Sequence, residues 1–526
     1  MTVTASEDVD VAGRVQRSWR GVLTGVPGRM ALAVASGVVL QLSFPPRELW
    51  FLAPVAFAGL GVVLYGRRFR AGFGYGLLFA VTFFLWHLVW IEDFLGADFG
   101  SAPWLALSFV EGLYVALACA CATVVQRLPA APVWMAALWV GQETLRSSFP
   151  LNGFPWGRVA FGHPSGAFTS LASIGGAPLV SFAVTLCGFG LARVLLRIGR
   201  REVRVIPAVA CTVVPVLAGL AAWTTVGVEP TRGEVTVAVV QGNAPDIGLG
   251  LLGARDRIRA NHLATSERLA GEIAAGGIPE PDLVVWPETA TDLGSQDPEL
   301  DRLVDRFDAP TLIGALYTRP DGLSENSVFV WEPGRGAGSH YVKQELVPFA
   351  EYVPWRPVAA WFTPFLGRTR DMRWGTEPGV LTPGGIRVGL QICYEVAYDY
   401  VGRQTVERGA QLLVVPTNNA WYGPGEMTYQ QLAMSRLRAV EHGRATVVAA
   451  TSGVSAIVRP DGSVVRSSGL FTSEILVGTL PLRDTTTVAS VVGPWPERVI
   501  VAAGVAALAM AAVSVGWRIR DRRRAA

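Results

Sequence analysis

The stretch GIRVGLQIC, residues 385–393, is a short β-branched and apolar run that ends on a single cysteine. A run of this length behind a glycine-containing turn is typical of a β-strand. Cys393 is the only cysteine in the C-terminal half of the chain, so it has no obvious disulfide partner, and no spacing of Cys and His indicates a zinc site. The other four lie in apolar runs, where cysteine behaves as a small hydrophobic residue: Cys119, Cys121, Cys187 and Cys211.

Similar strand-like runs surround this stretch and alternate with helix-like segments. The runs are EVTVAVVQGN at 234–243, PDLVVWPE at 281–288, TLIGALY at 311–317, NSVFVWEP at 326–333, QLLVVPTNN at 411–419 and TVVAATSGVSAIV at 446–458. The helix-like segments lie at 254–275, 298–308, 397–409 and 426–443. Strands interleaved with helices predict an α/β domain over residues 228–494, with one sheet core or two packed sheets.

The composition of the whole chain indicates a membrane protein. Of 526 residues, 51% are hydrophobic and only 17% are charged. The mean hydropathy of +0.36 is seldom reached by soluble proteins of this size. The net charge of +3 comes from short basic clusters beside apolar runs, a pattern that does not imply nucleic acid.

Apolar runs that approach the ~20 residues needed to cross a bilayer predict an α-helical membrane bundle of about eight spans. They lie at 29–44, 48–66, 71–91, 103–125, 130–147, 170–193, 205–225 and 497–517. The first run is short and the fifth carries charges, so seven spans are the alternative. We therefore expect a cytoplasmic segment at 1–28, seven spans at 29–227, the α/β domain, and a last span with a basic cytoplasmic tail at 495–526.

The arginines predict the orientation of these spans, because short basic loops stay on the cytoplasmic side of the membrane. Basic clusters precede the first predicted span and follow the second, fourth, sixth and eighth spans. All five agree with an even number of spans and two cytoplasmic termini. The α/β domain is therefore expected on the extracytoplasmic side of a bacterial inner membrane.

Two charged residues inside the fifth run are costly in lipid unless they are paired. Glu143 and Arg146 are three residues apart, on one face of a helix. We expect an ion pair near the outer end of the helix that stabilises helix packing. A role in holding lipid head groups is the alternative.

Three strands of the α/β domain lead to residues able to do chemistry together. Glu288 follows PDLVVW, Lys343 follows the segment after NSVFVWEP, and Cys393 ends GIRVGLQIC. A thiol attacks efficiently only as a thiolate, so it needs a base to accept its proton and a cation to stabilise charge. Each of the three has an ordinary alternative, as an inert thiol, a turn residue or a surface charge. Their joint presence favours an active site.

The motifs around these residues carry a resemblance to a known family. WPE contains Glu288, KQELVPFAEYVP begins at Lys343, and ICYE contains Cys393. This order resembles the nitrilase superfamily of carbon–nitrogen hydrolases. Together with the predicted spans and the GFPW element at 153–156, the chain is similar to the apolipoprotein N-acyltransferase family. The resemblance implies a nitrilase-like αββα sandwich on a membrane bundle.

The resemblance also implies a role for each matching residue. Glu288 is expected to be the general base, Lys343 the cation that stabilises the oxyanion, and Cys393 the nucleophile. Supporting roles are expected for three further residues: the Glu351 carboxylate, the Tyr394 backbone N–H as an oxyanion donor, and the Glu395 carboxylate. Glu351 and Glu395 are alternatively structural. The family's tryptophan after QGN has no counterpart here after Asn243.

The implied activity uses two lipid partners and neither a cofactor nor a metal. A membrane phospholipid is the acyl donor, and the diacylglyceryl-cysteine at the N-terminus of an apolipoprotein is the acceptor. The alternatives are a membrane-anchored amidase for a small amide and a non-catalytic membrane scaffold. The many spans argue against the amidase, and the complete set of three catalytic residues argues against the scaffold.

The segment WRPVAAWFTPFLGRTRDMRW, residues 355–374, mixes aromatic residues with arginines. This mixture is expected of a chain that lies at a lipid interface. The segment is predicted to form a mobile lid over the site, as lids gate turnover in many enzymes. The alternative is a loop whose aromatic residues pack on the domain itself.

Overall fold

A computed structural model describes residues 25–200, 205–293, 297–359 and 371–524. The first part of the chain forms a bundle of apolar helices. These are α1 (Val26–Leu42), α2 (Leu52–Leu64), α3 (Phe69–His87), α4 (Trp90–Phe99), α5 (Ala102–Val125), α6 (Ala131–Arg146), α7 (Ala172–Ile198) and α8 (Ile206–Ala222). The last helix, α15 (Trp495–Arg524), packs on α5, α6 and α7 and so returns to the bundle.

A helix covers each of the eight predicted spans, but the number of membrane crossings stays a prediction. Within the described ranges, five helical segments are long and apolar enough to cross a bilayer: Phe69–His87, Ala102–Val125, Thr169–Ile198, Ile206–Thr225 and Trp495–Ser514. The helices α1 and α2 are apolar but shorter. The predicted loop after the third span contains the additional helix α4, which packs against α5.

The basic loops and the contacts with the α/β domain lie at different ends of the bundle. At one end, Arg200 donates to the hydroxyl of Tyr65, at the C-terminal end of α2, over 2.9 Å. At the N-terminal side of α2, Arg47 donates to Glu426 of the α/β domain over 2.7 Å. Because α2 runs between these two contacts, the arginines after α2 and α7 lie away from the α/β domain.

The prediction that Glu143 and Arg146 pair with each other is wrong. Arg146 Nη1 lies 3.5 Å from Glu111 Oε2 and donates to the carbonyl of Trp156 over 2.6 Å. Glu143 Oε1 accepts from the backbone N–H of Val159 over 2.8 Å. The hydrogen-bond pattern of the helix stops at its end, so the loop after α6 has unpaired backbone groups. These groups bind both side chains, and the spacing along one helix does not reveal them.

The α/β domain contains two mixed sheets. Its strands are β1 (Glu234–Gln241), β2 (Leu283–Val285), β3 (Thr291–Leu293), β4 (Thr311–Thr318), β5 (Ser324–Glu332), β6 (Gly336–Val342), β7 (Val380–Leu381), β8 (Val388–Leu390), β9 (Leu412–Thr417), β10 (Thr446–Ala450), β11 (Ala456–Val458), β12 (Val464–Ser467) and β13 (Glu474–Pro481). One sheet has the order β13-β1-β2-β4-β5-β6, with β3 beside β4, and the other has the order β12-β11-β10-β9-β8-β7.

The remaining helices are α9 (Arg255–Ala274), α10 (Pro298–Phe307), α11 (Arg356–Ala359), α12 (Asp399–Glu407), α13 (Met427–His442) and α14 (Val488–Val492). Of these, α9, α10, α12 and α13 pack against the sheets. In β1, Val235, Val237 and Val239 belong to the apolar core between the sheets, whereas Ala238 and Val240 pack with α9 and α10. The alternation of side chains along a strand explains this layering. The domain is a helix–sheet–sheet–helix sandwich, in which α13 also packs against the bundle.

Candidate active site

Strand ends of both sheets bring the three predicted catalytic residues to one buried place. Glu288 follows β2, Lys343 follows β6, and Cys393 follows β8. Their exposed fractions are 5%, 1% and 4%. Lys343 Nζ lies 2.9 Å from Glu288 Oε1, and the charges of both act on the thiol of Cys393. The site therefore lies where the carboxyl ends of strands from the two sheets meet.

Two asparagines hold the Glu288 carboxylate in place. Asn326 Nδ2 donates to Glu288 Oε1 over 2.7 Å, and the backbone N–H of Asn418 donates to Oε2 over 2.9 Å. Gly314 of β4 packs closely against the turn before Glu288. A Cβ atom at this position would lie only 2.0 Å from the carbonyl oxygen of Pro287. A carboxylate fixed through both oxygens keeps one orientation, as a general base must.

Lys343 is held between two carboxylates. Its Nζ lies 3.0 Å from Glu351 Oε2 in addition to its contact with Glu288. Burial alone would lower the pKa of Lys343, but the negative charges of Glu288 and Glu351 outweigh it and raise the pKa well above its usual range. The side chain is therefore a permanent cation. Asn326 Nδ2 also donates to Glu351 Oε1, over 2.6 Å, so one amide links both carboxylates.

Cys393 begins a 3-10 turn, Cys393–Ala397, and its backbone has φ +54°, in the left-handed region. A non-glycine residue is unfavourable there and is held by its surroundings, an arrangement that clusters at active sites. Burial, followed by the negative charge of Glu288, raises the pKa of Cys393 to about 12, whereas Lys343 and a hydrogen bond to Thr417 act in the opposite direction. The resting group is therefore a neutral thiol.

Glu395 stabilises the turn that carries Cys393. Its Oε2 accepts from the backbone N–H of Ile392 over 2.6 Å. Its Oε1 accepts from the backbone N–H groups of Gln344 and Glu345 over 2.6 and 3.2 Å, and from the Tyr341 hydroxyl over 2.8 Å. Glu395 thus ties the cysteine turn to the segment that follows Lys343. These contacts support the structural alternative for Glu395, whereas Glu351 contacts Lys343 directly.

The Tyr394 side chain points towards the membrane bundle. Its ring stacks on Trp156 of the GFPW element, with centroids 6.4 Å apart and an interplanar angle of 15°. Its hydroxyl donates to the carbonyl of Gly153 over 3.2 Å. The loop between α6 and α7 therefore packs directly behind the cysteine turn. The role predicted for Tyr394, oxyanion binding by its backbone N–H, stays a prediction.

Sequence reasoning did not identify Asn326 as part of the site. Asn326 and Asn418 contact Glu288, but they lie 38 and 130 residues from it in the chain. The signal for Asn326 was its position directly before the mostly apolar run SVFVW, in a segment that forms a buried strand. Buried polar groups are normally hydrogen-bonded, so its amide required a partner in the site.

The proposed lid lies mainly outside the described residues. Residues 360–370, which include Trp361, Phe362 and Phe365, belong to that part of the chain. The flanking Trp355 and Trp374 are exposed, and the ring of Trp374 contacts that of Tyr352. Across the described ranges, no group of three or more His, Cys, Asp and Glu side chains is arranged to hold a metal ion.

Comparison with known proteins gives matches over both parts of the chain. The family model described as apolipoprotein N-acyltransferase N-terminal domain matches residues 36–190, and the carbon-nitrogen hydrolase model matches residues 236–490. Among solved structures, Nit3 of Saccharomyces cerevisiae, a member of branch 10 of the nitrilase superfamily, has a TM-score of 0.35 at 15% identity, covering 47% of this chain and 90% of its own. A carbon-nitrogen hydrolase from Helicobacter pylori has a TM-score of 0.36 at 17% identity, covering 47% and 89%.

Curated relatives match over nearly their full length. The apolipoprotein N-acyltransferase of Mycolicibacterium smegmatis is 38% identical over 532 residues, which cover 96% of this chain and 89% of the relative. The apolipoprotein N-acyltransferase of Azotobacter vinelandii is 31% identical over 526 residues, which cover 95% and 96%. This chain therefore belongs to the apolipoprotein N-acyltransferase family, with a carbon–nitrogen hydrolase domain of the nitrilase superfamily.

Proposed function

We propose that the enzyme moves an acyl chain from the sn-1 position of a membrane phospholipid to the α-amino group of a diacylglyceryl-cysteine at the N-terminus of an apolipoprotein. One observation carries the proposal. A buried thiol, a fixed carboxylate and a permanent cation meet in the α/β domain directly against the loop of a membrane bundle. This site has the groups for acyl transfer, and its position suits two lipid substrates.

The first half of the reaction forms a thioester. Glu288 accepts the proton of the Cys393 thiol while the sulfur attacks the sn-1 ester carbonyl of the phospholipid. Charge develops on the carbonyl oxygen, where Lys343 and the Tyr394 backbone N–H stabilise it. The carbon–oxygen bond of the ester then breaks, and Glu288 returns the proton to the departing oxygen. The products are a lysophospholipid and an acyl group on Cys393.

The second half transfers the acyl group to an amine. The α-amino group of the lipid-modified cysteine attacks the thioester carbonyl, and Glu288 accepts the proton that the nitrogen loses. The carbon–sulfur bond breaks, and the sulfur takes a proton back from Glu288 to restore the thiol. The burial of Cys393 and Lys343 favours this outcome, because water at a thioester would hydrolyse it and waste the donor.

The mass of the intact protein tests this proposal. We expect the purified enzyme, incubated in nanodiscs with phosphatidylethanolamine, to gain the mass of one acyl chain on Cys393. Neutral hydroxylamine should remove it, because hydroxylamine cleaves thioesters readily. A synthetic diacylglyceryl-cysteine peptide with a free α-amino group should also remove it and gain the same mass as an amide.

The matched control is the same peptide with its α-amino group acetylated, which should leave the adduct in place. The proposal fails if no adduct forms from any phospholipid, or if the adduct stays when the free-amine peptide is added. Release of ammonia from small amides without a lipid adduct would instead support the amidase alternative.

The location of the α/β domain is a separate part of the proposal. The arginines after α2 and α7 lie at the end of the bundle away from this domain, which supports an extracytoplasmic domain under the positive-inside rule. In a Cys393→Ala background, Glu280→Cys should react with a membrane-impermeant maleimide in intact cells. Glu280 is exposed and follows α9 in the α/β domain.

Arg127→Cys provides the control for this topology experiment. Arg127 is exposed in the loop between α5 and α6, which we assign to the cytoplasm. Its cysteine should react only after the cells are permeabilised. The opposite result for the two variants, with Arg127→Cys labelled from outside, would invert the orientation.

A further inference from the structure

A buried group of charges lies at the junction between the bundle and the α/β domain, and the proposed reaction does not use it. Arg158 belongs to the loop between α6 and α7 and has an exposed fraction of 2%. Its Nη1 lies 2.9 Å from Oδ1 and 2.8 Å from Oδ2 of Asp399. Asp399 begins α12, two residues after the 3-10 turn of Cys393 ends at Ala397. A bundle arginine therefore binds the segment that follows the nucleophile.

Arg438 of α13 connects this ion pair to the cysteine turn. The side chain is fully buried, and its Nη2 donates to Asp399 Oδ1 over 2.6 Å. The same guanidinium donates to the backbone carbonyls of Val396, over 2.9 Å, and Ala397, over 3.0 Å. These are the last two residues of the turn that begins at Cys393. Asp399 thus orients an arginine that holds the turn by its backbone.

The charges in this group depend on one another. Burial alone would raise the pKa of Asp399, but the positive charges of Arg158 and Arg438 outweigh it and hold the pKa well below its usual range. Arg438 also contacts Glu441. The guanidinium carbons of Arg158 and Arg438 lie 5.7 and 5.6 Å from the centre of the Phe161 ring. Removing one partner from such a group leaves an uncompensated buried charge, which forces the neighbours to move.

The cysteine turn needs support on both sides because Cys393 has an unfavourable left-handed backbone. On one side, Glu395 binds the backbone of Ile392 and of the segment after Lys343, all within the α/β domain. On the other side, the support runs through Arg438 and Asp399 to Arg158 of the bundle. The bundle thereby contributes to the geometry of the nucleophile.

We infer that Arg158 is a positioning residue, which holds the Cys393 turn in its reactive conformation through Asp399 and Arg438. The inference rests on the proposed function for the role of Cys393 as nucleophile. The membrane bundle thereby does more than place the site at the membrane, because one of its residues supports the turn that carries Cys393. The inference also implies that the α/β domain released from the bundle loses reactivity at Cys393.

The variant Arg158→Gln tests this inference, with Arg47→Gln as a matched control. Arg47 also makes a two-contact ion pair between the bundle and the α/β domain, with distances of 2.7 and 2.9 Å to Glu426 at the start of α13. Neither residue of this control pair hydrogen-bonds to the cysteine turn in the described part of the chain. Both substitutions remove a positive charge from the same junction and keep a polar side chain.

The experiment measures three quantities on the full chain: the rate of Cys393 acylation by phospholipid in nanodiscs and, in detergent without phospholipid, its alkylation rate with iodoacetamide and the unfolding temperature. Arg158→Gln should slow acylation and alkylation together by about tenfold to a hundredfold, since small displacements of reacting groups cost rates of this order. Arg47→Gln should change both rates less than about twofold, with a smaller shift in unfolding temperature because its ion pair is more exposed. Arg158→Lys, which keeps the charge, should recover part of both rates.

The inference is overturned if Arg158→Gln and Arg47→Gln lower the two rates equally, because the effect is then general loosening of the junction. It is also overturned if alkylation stays at the wild-type rate while acylation falls, because Arg158 then acts on lipid access. Should Arg158→Gln not purify as a folded protein, Arg158→Lys and Asp399→Asn take its place, and both must slow alkylation more than Arg47→Lys does. The iodoacetamide measurement uses no lipid, so it decides the inference even if the proposed acyl transfer fails.

Discussion

Replacing Cys393 by alanine is expected to abolish both the acyl adduct and the N-acylated product. The loss should reach at least about 10⁴-fold, as for the removal of a nucleophile that acts as one unit with its base. The other four cysteines give no substitute, because all four lie in bundle helices. The measurement is the mass of the intact protein after exposure to phospholipid, followed by product formation with the diacylglyceryl-cysteine peptide.

Cys119→Ala is the matched control for this result. Cys119 is a free, buried thiol in α5 and should be dispensable for acylation. Cys393→Ser keeps a side chain of similar size but weakens the nucleophile, because a hydroxyl is far less acidic than a thiol. This variant should give little adduct. Product formation at the wild-type rate by Cys393→Ala would falsify the thioester mechanism, whatever the reactivity of the other cysteines.

The meeting of Glu288, Lys343 and Cys393 was predictable because each follows a strand. Side chains at strand ends are fixed by the sheet, so two short apolar runs that end on Glu288 and Cys393, with a segment between them that leads to Lys343, already suggest one site. The two-sheet sandwich was less determined, since the runs alone fit one sheet or two. The resemblance to the nitrilase superfamily favoured the sandwich, and the carbon-nitrogen hydrolase match over residues 236–490 agrees with that fold.

Contacts between distant segments were not predictable from the sequence. Arg158 and Asp399 are 241 residues apart, and neither stands in an unusual pattern. The spacing of Glu143 and Arg146 favoured a pair within one helix, but each side chain instead binds the loop that follows the helix. Unpaired backbone groups and buried charges select partners from the tertiary structure, which short-range spacing does not describe.

The number of membrane crossings is likewise not determined by the sequence pattern alone. Hydropathy locates helices well, since all eight predicted runs contain one, but α1 and α2 are shorter than a full crossing at 17 and 13 residues. Short helices cross a membrane only with local thinning of the bilayer or help from flanking residues. Their depth therefore depends on packing against neighbouring helices, as in the contact between α2 and α7.

Replacing Glu288 by glutamine should separate two reactions of Cys393 that normally change together. The proposed general base is lost, so acylation by phospholipid should fall by about 10² to 10⁴-fold. The negative charge of Glu288 also raises the pKa of the Cys393 thiol in the wild-type protein. Without that charge the pKa falls from its value of about 12, the thiolate fraction at alkaline pH increases, and alkylation by iodoacetamide should become faster.

Lys343→Gln is the matched variant, because it removes the opposite charge from the same contact of 2.9 Å. Lys343 lowers the pKa of Cys393, so its loss should raise that pKa and slow alkylation. Acylation should also fall, by about 10² to 10³-fold, because the oxyanion loses the cation proposed to stabilise it. The two variants thus lower acylation alike but shift alkylation in opposite directions, which a merely unfolded site cannot do. If both variants shift alkylation in the same direction at unchanged unfolding temperatures, the assignment of base and cation is wrong.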